Sequence, residues 1–383
     1  MSAQATYPNL FKIDAQIEKI LKGVELLPYL NPINAETEKR KFFQSKYTKD
    51  PKFAYTKIKF NAFNTQRRLF AIELDRIEEI EIRKFYEEVI YFYSSQVDAI
   101  NHIGNNNKFY YNSLKLFGTP KDKDVENAKF ILHFEDDELT ENAIKKYTAN
   151  DAQMFFEDFS KNYDFKFTVE QSVKIASEAM VKNRSKVLLL KKNALFSQNK
   201  LNILAHHEIG VHLLTSYNAQ AQNLHIFSNG FPRNVETQEG LAVFSEFMSG
   251  SLSIKRLKTL AYRVIAVDSL RKGYNFVNTF DLLHNTHKLN IEDAFIISMR
   301  VHRGGGFTKD YLYLTGLKKV YDYYHSGKEL NVLLTGKVNL EHQSVIEKLL
   351  NLGLAKEAAY FNHAFLKNNN TNNTLDFILK NLK

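Results

Sequence analysis

Two histidines flank a glutamate in the segment H-E-I-G-V-H, in which His207 and His212 enclose Glu208. Imidazole nitrogens are common zinc ligands, and a nearby carboxylate can act as a general base towards zinc-activated water. The familiar zinc-peptidase signature, H-E-x-x-H, sets its histidines one helical turn apart. Here they are five residues apart, which on a regular α-helix separates the two side-chain directions by about 140°. The residue types therefore indicate a zinc hydrolase, but the spacing needs an explanation.

A widened helix would reconcile this spacing with one shared metal ion. Single-turn π-bulges widen a helix locally and often mark functional sites. We therefore expect the helix from His207 to His212 to be over-wide near Gly210. The preceding His206 points to a different side of the helix and is expected to lie in the core or to support a metal ligand from behind. Buried structural histidines without any metal are the alternative interpretation of the whole segment.

A catalytic zinc site takes three protein ligands and leaves one position open for water. The chain contains no cysteine, which also excludes disulfides and thiol nucleophiles, so zinc must be held by histidine and carboxylate. A second apolar helix, predicted from about residue 237 to 250, offers Glu239 and Glu246 on nearly one face, and Glu236 is also available. Gly240 in this helix would permit close approach of another helix. The spacing alone prefers none of the three carboxylates.

The composition is that of a large globular protein of one or two domains, with 383 residues of which 44% are hydrophobic. The net charge of +9 is mostly dispersed and no nucleic-acid-binding module is recognisable, so we expect no nucleic-acid partner. No run of about 18 apolar residues predicts a membrane span, and the short polar N-terminus does not resemble a signal peptide. A cytoplasmic protein without a membrane partner is therefore expected.

Hydrophobic patterns predict an α+β fold that is mainly α. The first third is helical, with a long helix from Asp75 to about Asn101. The alternation in Phe165–Val169 and the short apolar run Lys186–Lys192 predict strands of a small sheet just before the histidine-bearing helix. This order is the layout of a zinc-peptidase core. Lys186–Lys192 would then be an edge strand that pairs with an extended substrate, or else an ordinary hairpin strand.

The sequence Q-E-G-L-A at Gln238–Ala242, downstream of H-E-x-x-x-H, resembles the QEGLA-motif family. That family is named in bacteria for a supposed effect on flavohaemoglobin expression, and its eukaryotic members are tubulin-tyrosine carboxypeptidases that act on microtubules. The resemblance includes Pro28–Asn34, Pro51–Tyr55 and the late segments Arg300–Gly305 and Phe307–Asp310.

The resemblance implies that His207, His212 and Glu239 bind one Zn²⁺ ion and that Glu208 is the general base. It implies a metallopeptidase, with the C-terminal tail of a peptide or protein as its substrate. Residues 151–330 are predicted to form a gluzincin-like zinc metallopeptidase core. Residues 1–150 would be an N-terminal helical region packed on it, and residues 331–383 a C-terminal helical extension, with all three parts expected to form one structural unit.

A carboxypeptidase needs a cation for the terminal carboxylate of its substrate. Arg303 and Lys309, with Arg300 nearby, flank the turn Gly304–Gly306 and are our candidates for this role. The three glycines would let the backbone approach the substrate closely. A basic helix-capping loop with no substrate is the structural alternative for this segment.

Further roles are predicted beside these. Tyr313, and also Tyr311, are candidates for donating a hydrogen bond to a developing oxyanion. Glu246 is a candidate for orienting a ligand histidine through a hydrogen bond, with an interhelix salt bridge as the alternative. Two other functions stay open at this point: a zinc-binding regulatory or interaction protein without peptidase activity, and a hydrolase of a non-peptide amide.

Overall fold

Helices make up most of this computed structural model, which describes residues 3–136, 144, 146–173, 175, 178–182 and 185–383. The α-helices, numbered along the chain, are α1 (Ala3–Thr6), α2 (Pro8–Leu21), α3 (Leu26–Leu30), α4 (Ala35–Gln44), α5 (Ala62–Phe70), α6 (Ile80–Asn101), α7 (Asn106–Phe117), α8 (Asp122–Leu132), α9 (Ala149–Phe159), α10 (Gln198–Leu204), α11 (Leu214–Gln220), α12 (Ile226–Asn229), α13 (Asn234–Met248), α14 (Ile254–Arg271), α15 (Phe276–Asp281), α16 (Ile291–His302), α17 (Leu312–His325), α18 (Gln343–Asn351) and α19 (Asn373–Asn381).

Shorter turns of other helix types lie between these elements. The 3₁₀ segments are Leu74–Arg76, Ser160–Asn162, Arg303–Gly305, Thr308–Tyr311, Leu330–Leu334, Leu340–His342 and His363–Phe365. Within the part of the chain that the structure describes, two segments are π-helical, Ala205–Leu213 and Leu282–Thr286. The first of these carries the H-E-x-x-x-H segment and continues without a break from α10 into α11.

A small sheet precedes the π-helix in the sequence. Among the described residues it has three strands, β1 (Thr168–Ser172), β2 (Ala179–Lys182) and β3 (Val187–Lys191), in the order β1-β3-β2. Strand β3 is parallel to β1 and antiparallel to β2, with Leu189 opposite both Glu170 and Met180. Its first four residues are buried apolar side chains, as is usual for a central strand.

The chain forms two compact units, each assembled from separate segments. The first unit comprises Met1–Ala15, Glu135–Lys255 and Thr315–Leu382, and the second comprises Gln16–Phe134, Arg256–Leu314 and Lys383. The first unit contains the sheet, the π-helix and α13, whose residues from Thr237 to Met248 are all buried. The second unit has an aromatic core in which Phe42 packs edge-on against Phe276 and Phe280, at ring-centroid distances of 5.1 and 4.9 Å.

The α+β, mainly helical fold predicted from the sequence is confirmed, as is the long helix of the first third, which is α6. The prediction that Lys186–Lys192 forms a substrate-pairing edge is wrong. Strand β3 lies between β1 and β2, so both of its backbone edges are already hydrogen-bonded. Among the described helices, none combines the length and apolar character needed to cross a membrane.

Candidate metal centre

The H-E-x-x-x-H segment lies on a π-helix, as its spacing predicted. The π-helical stretch covers Ala205–Leu213, and the backbone amide of Leu214 donates to the carbonyl of Ile209, five residues back. In i→i+5 geometry, residues five apart come to lie one above the other. The rings of His207 and His212 accordingly approach to a centroid distance of 5.0 Å.

Glu239 of α13 completes a group of three candidate ligands with these histidines. Its Oε2 lies 3.7 Å from Nε2 of His207 and 3.7 Å from Nε2 of His212. The three ligand atoms all lie within 4.8 Å of one another. Across the described ranges, no other three histidine, aspartate or glutamate side chains come together in this way. His207 and Glu239 are buried, and His212 is partly buried.

The separations of these donor atoms suit a zinc ion. Zinc binds imidazole nitrogen and carboxylate oxygen at about 2.0–2.2 Å in tetrahedral sites, which sets neighbouring donors about 3.4 Å apart. The observed 3.7 Å between Glu239 and each imidazole needs only a small contraction to reach this value. Two imidazoles and one carboxylate are also a donor set that catalytic zinc sites use, with a fourth position left for water. The residues therefore fit a zinc ion.

Glu246 contacts His207 on the side of the ring away from Glu239. Nδ1 of His207 donates to Oε1 of Glu246 at 2.8 Å, and the Glu246 side chain is fully buried. Such a bond fixes the tautomer and leaves Nε2 for a metal. Burial alone lowers the pKa of His207, but Glu239, Glu246 and the charge of Glu208 outweigh it and raise the pKa to about 10. The surrounding carboxylates therefore strongly favour a positive charge at His207.

Helix α13 is joined to the π-helical segment by residues of the QEGLA stretch and just beyond it. Gln238 accepts a hydrogen bond from Thr215 of α11 at 3.0 Å. Ser245 donates to the carbonyl of His206 at 3.0 Å. The residues that make these bonds lie on either side of Glu239 along α13. The bonds therefore fix the rotation of α13 about its axis and its position along that axis, and with them the position of the Glu239 carboxylate.

Gly240 permits the close approach of another helix, as expected. A Cβ atom on Gly240 would lie 2.4 Å from the carbonyl carbon and oxygen of Gly316, which shows that the two backbones touch. The close approach is thus to Gly316 rather than to the histidine-bearing helix. Because Gly240 packs directly against the backbone of Gly316, the neighbouring Glu239 has little freedom to move.

The remaining candidates near the motif take other positions. Glu236 accepts from Thr315 at 2.6 Å and pairs with Lys319 at 2.7 Å, so this carboxylate belongs to a surface network. His206 packs edge-on against Phe159 at a ring-centroid distance of 5.2 Å, and burial lowers its pKa to about 4. Glu208 is partly exposed and is not part of the ligand group. His206 is thus partly buried against an aromatic ring and, like Glu208, is not part of the ligand group.

The predicted substrate residues lie in the second unit. Arg300 binds Asp310 with both Nε and Nη2, the second bond at 2.9 Å, and the Asp310 side chain is fully buried. Burial raises the pKa of Asp310, but the charges of Arg300 and Arg263 outweigh it and hold the pKa below its usual range. Arg303 donates to Asn31 at 2.8 Å. The guanidinium of Arg300 therefore forms an internal ion pair with Asp310.

Lys309 and Tyr313 lie together. The ammonium of Lys309 donates to the hydroxyl of Tyr313 at 3.2 Å and lies 4.6 Å from the centre of its ring. Tyr311 does not suit the oxyanion role, because its buried hydroxyl donates to the carbonyl of Phe117 at 2.6 Å. Tyr313 keeps its candidate role.

The turn Gly304–Gly306 packs closely against α7 of the same unit. All three glycines have positive φ, of 73°, 115° and 128°. A Cβ on Gly305 would lie 2.5 Å from Cα of Asn106, and one on Gly306 would lie 2.9 Å from the ring of Tyr110. The packing of the turn against α7 therefore requires these glycines, and no substrate is needed to explain them.

Arg263, which sequence reasoning did not select, contacts Tyr313, one of the predicted substrate residues. This residue of α14 places its guanidinium 4.9 Å from the centre of the Tyr313 ring. Arg263 lies far in sequence from the Arg300–Asp310 segment and has no motif around it. The available signal was a charged residue within the apolar stretch Ala261–Val267.

Comparison with known proteins identifies the family of this chain. The model of the family described as microtubule-associated tyrosine carboxypeptidase matches residues 40–383. Because the match covers most of the sequence, the chain belongs to this family. No curated protein matches it. Membership of the family implies a carboxypeptidase-like enzyme with a peptide or protein as substrate, and confirms the resemblance on which the sequence interpretation depended.

Proposed function

We propose that this protein is a zinc-dependent carboxypeptidase that removes a C-terminal residue, with tyrosine as the first candidate, from a peptide or protein. The observation that carries the proposal is the convergence of His207, His212 and Glu239 on a π-helix and its neighbour, in a chain that belongs to a tyrosine carboxypeptidase family. His207 and His212 would hold the ion through Nε2, and Glu239 through its carboxylate. Glu246 would keep His207 in the required tautomer.

Zinc at such a site lowers the pKa of a water molecule to near 7 and polarises a carbonyl oxygen. Glu208 is the residue of this chain that we assign to proton transfer. It lies next to a ligand in the sequence and is partly exposed, so a water molecule can reach its carboxylate. As general base it would accept a proton from the attacking water, and it would then deliver that proton to the amine of the departing residue. A purely structural zinc site would have no use for such a carboxylate.

The test is release of tyrosine from a synthetic peptide with a C-terminal Gly-Tyr. We expect turnover by protein purified without chelators or a His tag, loss of turnover after treatment with a chelator, and recovery when zinc is added back. His212→Ala should abolish both zinc retention and turnover, because two ligands do not hold the ion in a three-ligand site. Glu236→Gln is the matched control from α13 and should change neither.

Two other functions make different predictions. A zinc-binding regulatory protein would retain zinc and release no C-terminal residue from any member of a broad peptide library. A hydrolase of non-peptide amides would leave the same library intact and turn over small amides instead. Mass spectrometry of the library after incubation separates these outcomes from the proposed one, since the proposed enzyme shortens its substrates by one residue.

A further inference from the structure

One carbonyl of the ligand helix is passed over where the π-helix changes to an α-helix. The amide of Leu214 donates to the carbonyls of Ile209 and Val211. It passes over the carbonyl of Gly210, which lies between them. From Leu214 onwards the helix is α, where each amide donates four residues back, so Thr215 is in register with Val211. Gly210 is buried, and a buried carbonyl needs a hydrogen-bond donor. The change of register therefore calls for a donor from another segment.

A side-chain amide lies beside Gly210, on the segment that follows α18. Asn362 is buried, and a Cβ atom on Gly210 would lie 3.0 Å from its Nδ2. Its Oδ1 accepts from the amide of Ala364 at 2.9 Å, which determines the orientation of the side-chain amide. Nδ2 has no hydrogen-bond partner among the residues that the structure describes. Gly210 and Asn362 are thus in contact, and each has a group that needs a partner.

Asn218 of α11 fastens this segment to the ligand helix. Its Oδ1 accepts from the amides of Ala359 and Tyr360 at 3.1 and 2.9 Å. Its Nδ2 donates to the carbonyl of Tyr360 at 2.9 Å. Because Asn218 is buried, water competes little for these bonds. The segment, and Asn362 with it, is therefore held against the helix that carries the two candidate histidine ligands.

The same segment contacts the second ligand-bearing helix. Asn362 is the N-cap of the 3₁₀ turn His363–Phe365. Phe365 packs against Phe244 of α13 with the ring centroids 5.8 Å apart. Glu239 lies on the same helix. One short segment thus contacts both helices that supply candidate ligands.

We propose that Asn362 is a positioning residue for the metal centre, and that it stabilises the π-helical register between His207 and His212. In the zinc-loaded protein its Nδ2 donates to the carbonyl of Gly210, the group that the widened register leaves in need of a donor. The proposal rests on the proposed function, because the register matters through the ion that the two histidines share. In a regular α-helix their side chains would diverge by about 140°. Asn362 acts through the helix and is not itself a ligand.

The test is a measurement of zinc affinity by competition with a chromogenic chelator, which needs no turnover. Asn362→Ser keeps an acceptor for the amide of Ala364, since serine is also a good N-cap, but it is too short to reach Gly210. We expect zinc affinity to fall by about 10-fold, as is found when a group that supports a metal ligand is lost. The stability of the zinc-free protein towards denaturant should change much less, because the N-cap is kept.

Cobalt substitution adds a readout that a purely structural role would not change. The visible spectrum of Co²⁺ depends on the number and arrangement of its ligands, so an altered helix register should alter it. We expect the spectrum of Asn362→Ser to differ from that of wild type. Asn372→Ser is the matched control, because it makes the same change at the N-cap of α19, where the side chain bonds to amides of that helix itself. It should change neither the zinc affinity nor the spectrum.

Gly210→Ala tests the same contact from the helix side. The added methyl would stand 3.0 Å from Nδ2 of Asn362, so it should displace the side-chain amide and lower zinc affinity. Because both substitutions act on one contact, their effects should not add. The double variant should bind zinc about as well as the weaker of the two single variants, and full additivity would overturn the proposal.

Wild-type zinc affinity and an unchanged Co²⁺ spectrum in Asn362→Ser would also overturn it. So would a loss of affinity that is matched by an equal loss of stability in the zinc-free protein, since Asn362 would then be only a structural cap. If Asn362→Ser does not fold, as judged by circular dichroism, Asn362→Asp decides. It keeps the N-cap oxygen and replaces Nδ2 with an oxygen, and unchanged zinc affinity there overturns the proposal.

Failure of the proposed function gives a different pattern. Wild-type protein that binds zinc but releases no tyrosine would refute the peptidase, while weaker zinc binding by Asn362→Ser would still support the positioning role. Tyrosine release by wild type, together with unchanged zinc affinity in Asn362→Ser, would refute only the positioning role.

Discussion

Glu246→Gln tests whether the carboxylate behind His207 supports metal binding. The substitution keeps the size of the side chain and an oxygen that accepts a hydrogen bond, but removes the negative charge 2.8 Å from Nδ1 of His207. Loss of such a partner typically costs 10–100-fold in metal affinity, which corresponds to about 1.4–2.8 kcal/mol. We expect the upper part of this range, because Glu246 is fully buried and solvent cannot screen its charge.

The assay is competition for zinc between the protein and a chromogenic chelator near neutral pH. Glu236→Gln serves as the control, since Glu236 lies on the same helix and pairs with Lys319 at the surface. Circular dichroism of the chelator-treated proteins shows whether either substitution disturbs the fold. Equal zinc affinity for wild type, Glu246→Gln and Glu246→Ala would refute the reasoning, because removal of both the charge and the hydrogen bond would then have no effect on the candidate ligand.

Three further predictions concern stability and can be measured by chemical denaturation. Gly240→Ala should destabilise the protein by about 1–3 kcal/mol or more, because the added methyl overlaps the backbone of Gly316. Asp310→Asn should cost about 3–5 kcal/mol by leaving the cation of Arg300 without its buried partner. Burial lowers the pKa of His302 from 6.5 to about 4. The unfolded chain therefore binds the proton first, and stability should fall by about 2 kcal/mol between about pH 7 and about pH 5. His302→Gln should remove this part of the pH dependence.

The π-helix was predictable because the spacing of the two histidines, if they share one ion, left few alternatives. Two histidines five residues apart can face one ion only if the helix between them is widened, and the structure has this widening over Ala205–Leu213. Glu239 could not be chosen over Glu236 and Glu246 by spacing, since all three lie on one helix. The resemblance to a family selected it, and the structure gives the physical difference: Glu236 faces Lys319, while Glu246 lies behind His207.

Features that depend on contacts between distant segments were not predictable. In the sequence, strand β3 is an isolated apolar run. No neighbouring residue indicates that β1 and β2 flank it on both sides. The glycines at 304–306 indicated a close approach but not its partner, which is α7. The contact between Arg263 and Tyr313 joins residues 50 positions apart, so only the folded structure shows it. Each compact unit is built from segments far apart in the chain, a property that hydrophobic periodicity does not report.

The most direct test of the account compares Glu208→Gln with wild type at equal zinc content. The measurement is the rate of tyrosine release from a peptide ending in Gly-Tyr, with zinc in the same samples determined by elemental analysis. The account predicts one zinc ion per chain in both proteins. It also predicts that the rate falls by at least about 100-fold in Glu208→Gln, because the general base is lost while the ligands are kept. Undiminished release by Glu208→Gln, or release by wild-type protein that contains no metal, would contradict it.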